Sequence, residues 1–469
     1  MSRIDDLMRM IPDIPVNTTE KSLRTKSRDY FFWSPILKEK LDHIVADAVV
    51  SPRDESDVSR VLSACWELDI SVTPRGGGTG NYGQAMPLNG GVVLDMMNMN
   101  RIKSVGMGTA VVEPGTRLSV IEEVTRPQHG LELRMYPSTL ETASIGGFIA
   151  GGSGGVGSIR WGMLREPGNI LKLRLSTMEQ TPRCIELTGD AIDAAAHAYG
   201  VNGVITEVEL SLAPAYDWVE MLVSYRDWNA ALEAGWAVTH HEGLWLKELA
   251  AVQQPAPHRY FTRYREYLEP TDNTLCILVA PNAVSPLLAN LEKLGGRVAY
   301  RSDKLTESDR KGLTRLHHLT WNHTTLQARK VDPDVTYLQV GIPVENPLDV
   351  LGQISKLFRD ELIGHVEFVR ASGRVYATSL PLLHYKSPER LLEISQMLED
   401  LGCTCYNPHT YRLEEGSHRG VNKAQLELKK GHDPKGLLNP GKMIAWENEH
   451  YEYDLSTHYP YEGLQSNKL

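Results

Sequence analysis

Short apolar runs alternate with helical patterns near the start of the chain. Val49–Pro52 predicts a strand that stops at proline, and Ser56–Cys65 has apolar residues at helical spacing behind a serine cap. Ile70–Pro74 predicts a second strand, which runs into a glycine loop. A strand, a helix, a strand and a loop in this order indicate the start of an α/β unit.

The same patterns continue as far as Pro214, which ends a long alternating strand, so we expect a domain boundary nearby. Residues beyond it predict a second unit of mixed strands and helices, and the chain shows no fixed-period repeat of the kind that solenoids and propellers carry. The further predicted strands are Gly91–Asp95, Gly108–Gly115, Gly203–Pro214, Thr274–Val279, Val335–Val340 and His365–Val369, and the further predicted helices are Leu118–Val124, Leu287–Leu294 and Leu391–Leu401.

Composition narrows the class of protein. The 469 residues are 41% hydrophobic and carry a formal charge of -10, with both signs mixed along the chain. A nucleic-acid partner would favour a basic face, so we expect no nucleic acid to bind. No apolar run is long enough to cross a bilayer, and the first residues lack a charged head followed by an apolar run. We therefore expect a cytoplasmic protein without a transmembrane segment.

The five cysteines are odd in number and widely scattered, which does not indicate a disulfide framework. Cys403 and Cys405 stand one residue closer than the usual CxxC pair, and no second cysteine pair accompanies them. We expect reduced thiols and a structural pair at this position rather than a metal or redox site.

The first glycine loop, Pro74–Gly80, has four glycines in its last five positions. Each glycine weakens regular structure by roughly 0.5–1 kcal/mol, so the loop requires a reason. N–H groups without neighbouring side chains can converge on an anion such as a pyrophosphate. The loop matches neither the P-loop nor the Rossmann pattern, and a flexible surface turn is the alternative interpretation of this loop taken alone.

The second glycine segment, Pro137–Gly162, has seven glycines between Gly146 and Gly157. Phe148 and Ile149 lie among them, and such apolar residues would be unfavourable in an exposed linker. We therefore expect a buried backbone packed closely on a flat ligand. Two glycine segments together favour an extended ligand with a phosphate part and a planar ring.

From about Leu41 to Pro214 the chain resembles the FAD-binding domain of the vanillyl-alcohol oxidase and p-cresol methylhydroxylase (PCMH) superfamily. The motifs that carry the resemblance are the first glycine loop, Pro137-Ser138, Ser144-Ile145-Gly146-Gly147, Gly154-Gly155 to Arg160-Trp161-Gly162, Gly203–Glu207 and the closing segment Asp433–Lys442. The resemblance implies an α+β fold. It places an N-terminal arm at 1–40, a two-subdomain PCMH-type FAD-binding domain at 41–215, a mixed α/β substrate-binding cap domain at 216–425, and a segment at 426–469 that returns to the FAD domain.

By this resemblance the cofactor is FAD, bound noncovalently because the first glycine loop has no histidine for covalent attachment. The loop would hold the pyrophosphate, the second segment would line the ribityl chain and the ring, Ile205 would meet the adenine, and Asn439 would approach the flavin. Ser144 as a helix cap, Ile205 as a core residue and Asn439 as a turn residue are the structural alternatives. The implied cofactor-binding residues are Pro74, Arg75, Gly76, Gly77, Gly78, Thr79, Gly80, Pro137, Ser138, Ser144, Gly146, Gly147, Gly152, Ser153, Gly154, Gly155, Gly157, Ile159, Ile205 and Asn439.

Hydride transfer to a flavin requires a group that accepts the proton released by the substrate, and we expect the second domain to supply it. His409 and Tyr411 are the first choice, because they shortly precede the tail that returns to the flavin. Each candidate also has a structural interpretation. The candidate catalytic residues are His323, Arg374, His409 and Tyr411, with Arg370, Tyr376 and His384 as further candidates.

The branch of the superfamily with a similar ending comprises D-lactate, glycolate and D-2-hydroxyglutarate dehydrogenases, which carry a metal-binding HxGDGNxH segment and a later EHG. The comparable stretch here, His365–Tyr376, lacks the Asp, the Asn and the second His, and Glu414–Arg419 matches EHG only loosely. We therefore expect no catalytic metal.

The expected function is that of an FAD-dependent oxidase or dehydrogenase that oxidises a small alcohol, hydroxy acid or phenol by hydride transfer to flavin N5. A flavin reductase that uses a nicotinamide nucleotide is one alternative. A flavoprotein electron-transfer subunit that works with an iron–sulfur partner is another. The electron acceptor, whether oxygen, a quinone or a protein, is left open, as is assembly into a homodimer.

Overall fold

The computed structural model describes residues 2–454, so residues 455–469 of the predicted C-terminal segment lie outside the described residues. Up to residue 214 the strands are β1 (Val16–Asn17), β2 (Ala48–Val50), β3 (Val72–Arg75), β4 (Val92–Asp95), β5 (Ile102–Val105), β6 (Thr109–Val112), β7 (Leu131–Leu133), β8 (Ile170–Ser176), β9 (Cys184–Thr188) and β10 (Val204–Pro214). The helices of this part are α1 (Arg3–Met10), α2 (Glu20–Lys26), α3 (Pro35–Leu41), α4 (Glu55–Glu67), α5 (Leu118–His129), α6 (Ile145–Gly151) and α7 (Ser158–Trp161).

The rest of the chain carries ten more strands. They are β11 (Val219–Tyr225), β12 (Leu246–Val252), β13 (Asn273–Val279), β14 (Arg297–Arg301), β15 (Val335–Tyr337), β16 (Gln339–Gly341), β17 (His365–Ala371), β18 (Arg374–Ser379), β19 (Leu382–His384) and β20 (Thr404–Tyr406). Its helices are α8 (Trp228–Thr239), α9 (Ala256–Tyr260), α10 (Val284–Lys293), α11 (Asn322–Val331), α12 (Pro347–Phe358), α13 (Pro388–Asp400), α14 (Lys423–His432) and α15 (Ile444–Glu447). No helix among residues 2–454 is long and apolar enough to span a membrane.

The first sheet has the strand order β1-β2-β4-β3, with β2, β4 and β3 parallel. Helix α4 connects β2 to β3, so the predicted strand, helix, strand order is confirmed. The predicted serine cap is wrong, because the Asp54 carboxylate, two residues before Ser56, accepts the hydrogen bond from Asp57 N at 2.9 Å and caps the helix. The apolar face of α4 packs on this sheet through Val58, Val61 and Leu62.

The second sheet is antiparallel, with the order β5-β6-β10-β8-β9 and with β7 paired to the far end of β10. The predicted strand Gly203–Pro214 corresponds to β10, which is central in this sheet and pairs with β6, β7 and β8. Alternate residues of β10, such as Val208 and Leu210, enter the same hydrophobic cluster as Leu118 and Ile121 of α5. The second sheet therefore packs its apolar face on α5.

The third sheet has eight strands in the order β14-β11-β13-β12-β17-β18-β16-β20. All seven residues of β13 are buried, and its side chains enter two different hydrophobic clusters, one on each face of the sheet. The single strand predicted at Val335–Val340 is wrong. The segment forms two strands, β15 and β16, on either side of Leu338. The Tyr337 carbonyl accepts a hydrogen bond from His409, and β15 pairs with β19 rather than with a strand of the third sheet.

Both ends of the described chain pack on other parts of the fold. After α14 the chain returns to the first sheet, where Val72 and Leu438 form a parallel bridge and Asn439 N donates to the Val72 carbonyl at 2.8 Å. In the N-terminal arm, Phe31 and Trp33 are buried, and the Trp33 carbonyl accepts a hydrogen bond from Thr336 Oγ1 at 2.9 Å. These aromatic residues therefore anchor the arm to the rest of the protein.

Candidate functional site

A cavity of about 660 Å³ lies where the first part of the chain meets the third sheet. The first glycine loop and the second glycine segment form one wall, and the start of α11 with strands of the third sheet forms the other. A few residues of the closing part of the chain complete it. The predicted site residues that line the cavity are Pro74, Arg75, Gly76, Gly77, Gly78, Thr79, Gly80, Pro137, Ser138, Ser144, Gly147, Gly152, Ser153, Gly154 and His323.

The two glycine segments touch each other directly. A Cβ atom at Gly77 would overlap the carbonyl oxygen of Thr142, and one at Gly76 would overlap the hydroxyl of Ser144. The same hydroxyl accepts hydrogen bonds from Gly77 N and from Gly147 N, both at 3.3 Å. Close contact between the loops therefore requires glycine at these positions, in addition to any ligand that the loops bind.

Part of the second glycine segment, for which we expected a buried backbone, is helical. Helix α6 begins after Ser144, whose hydroxyl caps it, so this residue both caps a helix and lines the cavity. The Ile149 side chain of α6 is fully buried in a hydrophobic cluster. The first N–H groups of α6 already have partners, because Ile145 N and Gly146 N donate to main-chain carbonyls and Gly147 N donates to Ser144 Oγ, the hydroxyl that also contacts the first glycine loop.

Five predicted cofactor-binding residues of this part of the chain do not line the cavity. A Cβ at Gly146, Gly155 or Gly157 would overlap Pro114, the Tyr136 carbonyl or the Arg134 carbonyl, so each glycine allows close packing of the main chain. The side chains of Ile159 and Ile205 are buried in hydrophobic clusters. The structure gives all five a packing role, and their contact with a cofactor stays a prediction.

Arg75 is the buried cation of the first glycine loop. Its guanidinium donates to the carbonyls of Gly76 and Arg28 at 3.1 and 3.2 Å, while its Nε has no hydrogen-bond partner among the described residues. Burial raises the pKa of the nearby Asp29 to about 6, against the lowering effects of Lys442 and Arg75. A buried guanidinium with a free N–H beside partly buried glycines suits an anionic group such as a pyrophosphate.

Asn439 supports the cavity wall without lining it. Its side-chain Nδ2 donates to the carbonyls of Gln84 and Tyr199 at 2.8 and 2.7 Å, and both of those residues line the cavity. The residue adopts a left-handed backbone conformation, with φ of 38°, at the point where the chain returns to β3. Asn439 therefore positions other wall residues, and its approach to a ligand stays a prediction.

Only one of the four candidate catalytic residues lines the cavity. His323 does so at the start of α11, where burial lowers its pKa to about 3, so the imidazole is neutral. His409 is fully buried elsewhere and bonds Ser34 Oγ at 2.8 Å and the Tyr337 carbonyl at 3.1 Å. Tyr411 packs on the cluster of Leu41 and Met86, and Arg374 is exposed at the turn between β17 and β18. Of the further candidates, Tyr376 lines the cavity, whereas Arg370 and His384 do not.

Sequence reasoning missed a histidine cluster on the cavity wall. His197 Nδ1 donates to the Gly152 carbonyl at 2.9 Å, its Nε2 accepts from Ser417 Oγ at 2.6 Å, and His418 Nε2 donates to the His197 carbonyl at 3.0 Å. Burial lowers the pKa of His197 to about 3 and that of His418 to about 4. The two segments lie 220 residues apart, and no local pattern joins them.

Trp321 is held against the cavity by two buried carboxyl groups. Its backbone N donates to Glu367 Oε1 at 2.5 Å and its Nε1 donates to Glu248 Oε2 at 3.2 Å, while His365 Nε2 donates to Glu367 Oε1 at 2.8 Å. Burial raises the pKa of Glu367 to about 7, and burial with the neighbouring carboxylate raises the pKa of Glu248 well above its ordinary value. The pair therefore holds a proton at neutral pH and stabilises the strained φ of 52° at Trp321.

The five cysteines form no disulfide bond with one another, and Cys65, Cys276 and Cys403 are buried. Burial raises the pKa of Cys65 and Cys403 to about 12. These two groups are therefore protonated and unreactive at neutral pH.

Residues 46–180 match the model of the FAD-binding domain family. Glycolate oxidase subunit GlcD of Escherichia coli strain K12 is 32% identical over 200 residues, which cover 40% of this chain and 39% of that protein. The matched region thus spans about two fifths of that relative. GlcD of Bacillus subtilis is 25% identical over 443 residues, covering 85% of this chain and 89% of that protein. The mitochondrial cytochrome-type D-lactate dehydrogenase of Arabidopsis thaliana is 30% identical over 186 residues, covering 36% of this chain and 30% of that protein.

Solved structures of alkyldihydroxyacetonephosphate synthase share the fold. One of them has a TM-score of 0.69 with 16% sequence identity, covering 93% of this chain and 86% of that chain. A second crystal form gives a TM-score of 0.68 at the same identity. At this identity the likeness concerns the arrangement of the sheets and helices, which agrees with the expected α+β fold.

Proposed function

Because the chain belongs to the FAD-linked oxidoreductases with a PCMH-type FAD-binding domain, we propose that it is an FAD-dependent oxidase or dehydrogenase that oxidises a small hydroxy acid. The observation that carries this proposal is the composition of the cavity wall. The glycine-rich side, with the buried Arg75, faces a wall of the third sheet and α11 that presents the neutral imidazole of His323. One side suits a dinucleotide, and the other suits proton removal from a substrate.

The first glycine loop fits the pyrophosphate part of FAD. It offers main-chain N–H groups without neighbouring side chains and the free Nε of Arg75. FAD supplies the two-electron acceptor when it is bound. The residues of the glycine-rich wall would hold it, and the third sheet forms the opposite wall of the cavity.

His323 is the residue that we propose as the proton acceptor. It is 7% exposed, and burial holds it in the neutral form that can take a proton from a substrate hydroxyl. Asn322 and Tyr376 lie on the same wall, and Asn322 Oδ1 has no hydrogen-bond partner among the described residues. These polar groups are suitably placed to orient a hydroxyl group toward His323.

Arg165 is the residue that we propose to bind a carboxylate on the substrate. The charged residues that line the cavity are Asp29, Arg75 and Arg165. Among residues 2–454 Arg165 makes no hydrogen bond or ion pair, so its guanidinium is available to an anion. The names of the relatives, a glycolate oxidase and D-lactate dehydrogenases, agree with a hydroxy acid of this kind.

The test is anaerobic reduction of the flavin in the purified, FAD-loaded protein. We expect glycolate or lactate enantiomers to bleach the flavin band near ~450 nm, whereas the matched diols without a carboxylate should do so poorly. His323→Gln should slow this reduction by at least about a hundredfold. Arg374→Gln, at an exposed position outside the cavity, is the matched control and should leave the rate unchanged.

Three results would separate the alternatives. Reduction by a nicotinamide nucleotide but by no hydroxy acid would favour a flavin reductase. Reduction by neither, with electron uptake from an iron–sulfur protein, would favour an electron-transfer subunit. Reduction by hydroxy acids, followed by reoxidation with oxygen, a quinone or a protein acceptor in turn, would identify the acceptor that the enzyme uses.

A further inference from the structure

We propose that His323, His318 and Glu141 form a proton relay that carries the substrate's proton from the cavity to the protein surface. The inference rests on the proposed function, since it requires that a substrate in the cavity releases a proton. It adds two positioning residues, His318 and Glu141, whose side chains lie behind His323 and outside the cavity wall.

The three side chains form one continuous line of contacts. His323 Nδ1 and His318 Nδ1 are 3.1 Å apart, and His318 Nε2 lies 3.4 Å from Glu141 Oε1. Exposure rises along the line, from 7% for His323 to 25% and 48% for the side chains of His318 and Glu141. The line therefore leads from a buried imidazole to a carboxylate in contact with solvent.

The hydrogen bonds dictate where the protons lie. An ionised carboxylate can only accept, so His318 Nε2 carries the proton that points to Glu141. His318 Nδ1 is then the acceptor, and His323 Nδ1 must be the donor of the bond between the two rings. His323 Nε2 is left without a proton, as a base that suits a neutral hydroxyl in the cavity.

The surroundings explain why the proton moves on instead of staying on His323. Burial, together with His317, His318 and Lys330, lowers the pKa of His323, and Glu141 only partly opposes this effect. Partial burial of Glu141 disfavours its charge, but hydrogen bonds from His317 and His318 outweigh it and lower the pKa of the carboxyl group. Positive charge is thus disfavoured on His323 and favoured beside Glu141.

The transfer balances without a charge on His323. The substrate hydroxyl proton bonds to His323 Nε2 as the carbon-bound hydride leaves for FAD, the two-electron oxidant of the proposed function. The proton on His323 Nδ1 passes to His318 Nδ1, and the imidazolium formed there pairs with Glu141. Solvent then takes a proton from His318, whose side chain is partly exposed.

The fold holds these residues from two sides. His318 lies in the turn before α11, and its carbonyl accepts a hydrogen bond from Gln327 Nε2 of that helix at 2.9 Å. Glu141 lies in the second glycine segment, on the opposite side of the cavity. His317 Nε2 also donates to Glu141 Oε1, at 3.2 Å. Because both histidines approach this one oxygen, polar atoms of Glu141, His317 and His318 lie within 4.8 Å of one another.

His317 provides a matched control within the chain. Its Nε2 approaches the same Glu141 oxygen as His318 Nε2 does, at 3.2 Å against 3.4 Å, but no hydrogen bond or ring contact among residues 2–454 joins it to His323. In the FAD-loaded protein with a hydroxy acid, His318→Gln and Glu141→Gln should each slow flavin reduction by about tenfold or more, while His317→Gln should stay within about threefold of wild type. FAD affinity and the circular dichroism spectrum of each variant establish that it is folded.

Two further measurements depend on proton movement alone. A small exogenous base such as imidazole should accelerate reduction in His318→Gln and not in His317→Gln. Proton NMR of the FAD-loaded protein should show a low-field imidazole N–H resonance that His318→Gln abolishes and His317→Gln keeps. Equal rates in the two histidine variants, or a wild-type spectrum without this resonance, would refute the relay. A wild-type flavin that no hydroxy acid reduces would instead refute the proposed function and, with it, the role of the relay.

Discussion

His409→Gln should destabilise the protein without changing its chemistry. His409 is fully buried and joins two distant parts of the chain, because its ring bonds Ser34 Oγ in the N-terminal arm and the Tyr337 carbonyl at the end of β15. Ser34 in turn caps α3 by accepting from Leu37 N at 3.1 Å. Glutamine cannot place two polar groups at both ends of a ring-sized gap, so at least one buried partner loses its bond.

The expected cost follows from these two bonds. A buried polar group left without a partner costs about 1–3 kcal/mol, so the loss of one or both partners lowers the free energy of unfolding by about 1–6 kcal/mol. The assay is the apparent unfolding midpoint in urea, since a chain of several domains need not unfold in one step. The rate of flavin reduction per bound FAD should stay within about threefold of wild type, because the residue lies outside the cavity wall.

His323→Gln is the matched comparison and should give the opposite pattern, with slow reduction and a nearly unchanged midpoint. If His409→Gln kept the wild-type midpoint and lost flavin reduction, the assignment of His409 to structure and of His323 to chemistry would be refuted. A loss of both properties in His409→Gln, with wild-type rates in His323→Gln, would refute it as well.

Three further predictions follow from the site. Gly77→Ala should weaken FAD binding at least about tenfold, as measured by flavin fluorescence, because the new methyl group overlaps the Thr142 carbonyl. Gly431→Ala is the control and should leave FAD binding unchanged, because the space around Gly431 is open. Burial lowers the pKa of His197 to about 3 and that of His418 to about 4. Only the unfolded chain takes up protons on these two side chains between about pH 6.5 and 4, so the free energy of unfolding should be at its full value above about pH 6.5 and fall as the pH drops toward 4. An unfolding midpoint that does not change from pH 8 to about 4 would contradict this. Dialysis against a chelator should leave hydroxy-acid turnover unchanged, and restoration of lost activity by a stoichiometric divalent ion would disprove the expected absence of a catalytic metal.

Local signals in the sequence were sufficient for much of the framework. Alternating apolar residues identified β10, and the strand before the first glycine loop identified β3, because each pattern lies within one short segment. The glycine-rich motifs likewise identified most of the cavity wall on their side. Ser144 shows the limit of that reasoning, since the same hydroxyl serves as a helix cap, a contact between loops and a wall residue.

The candidate base shows why the other wall was harder to predict. Proximity along the chain to the returning tail favoured His409, but the residues before the tail that line the cavity are Ser417 and His418, and His409 is buried beneath the N-terminal arm. The carboxyl pair behind Trp321 comes from β12 and β17, which are neighbours in the sheet and far apart in sequence. Such contacts depend on strand order, which local periodicity does not encode.

The return of the closing segment to β3 has a consequence for biosynthesis. Ser417 and His418 complete the cavity, and Asn439 holds the carbonyls of two other wall residues. While a ribosome is still translating the third sheet, the nascent polypeptide has both glycine segments but not these groups. The complete FAD-binding cavity can thus form only after nearly all of the described chain has left the ribosomal exit tunnel. Premature termination before Asn439 would therefore yield a protein that folds in part and retains FAD poorly.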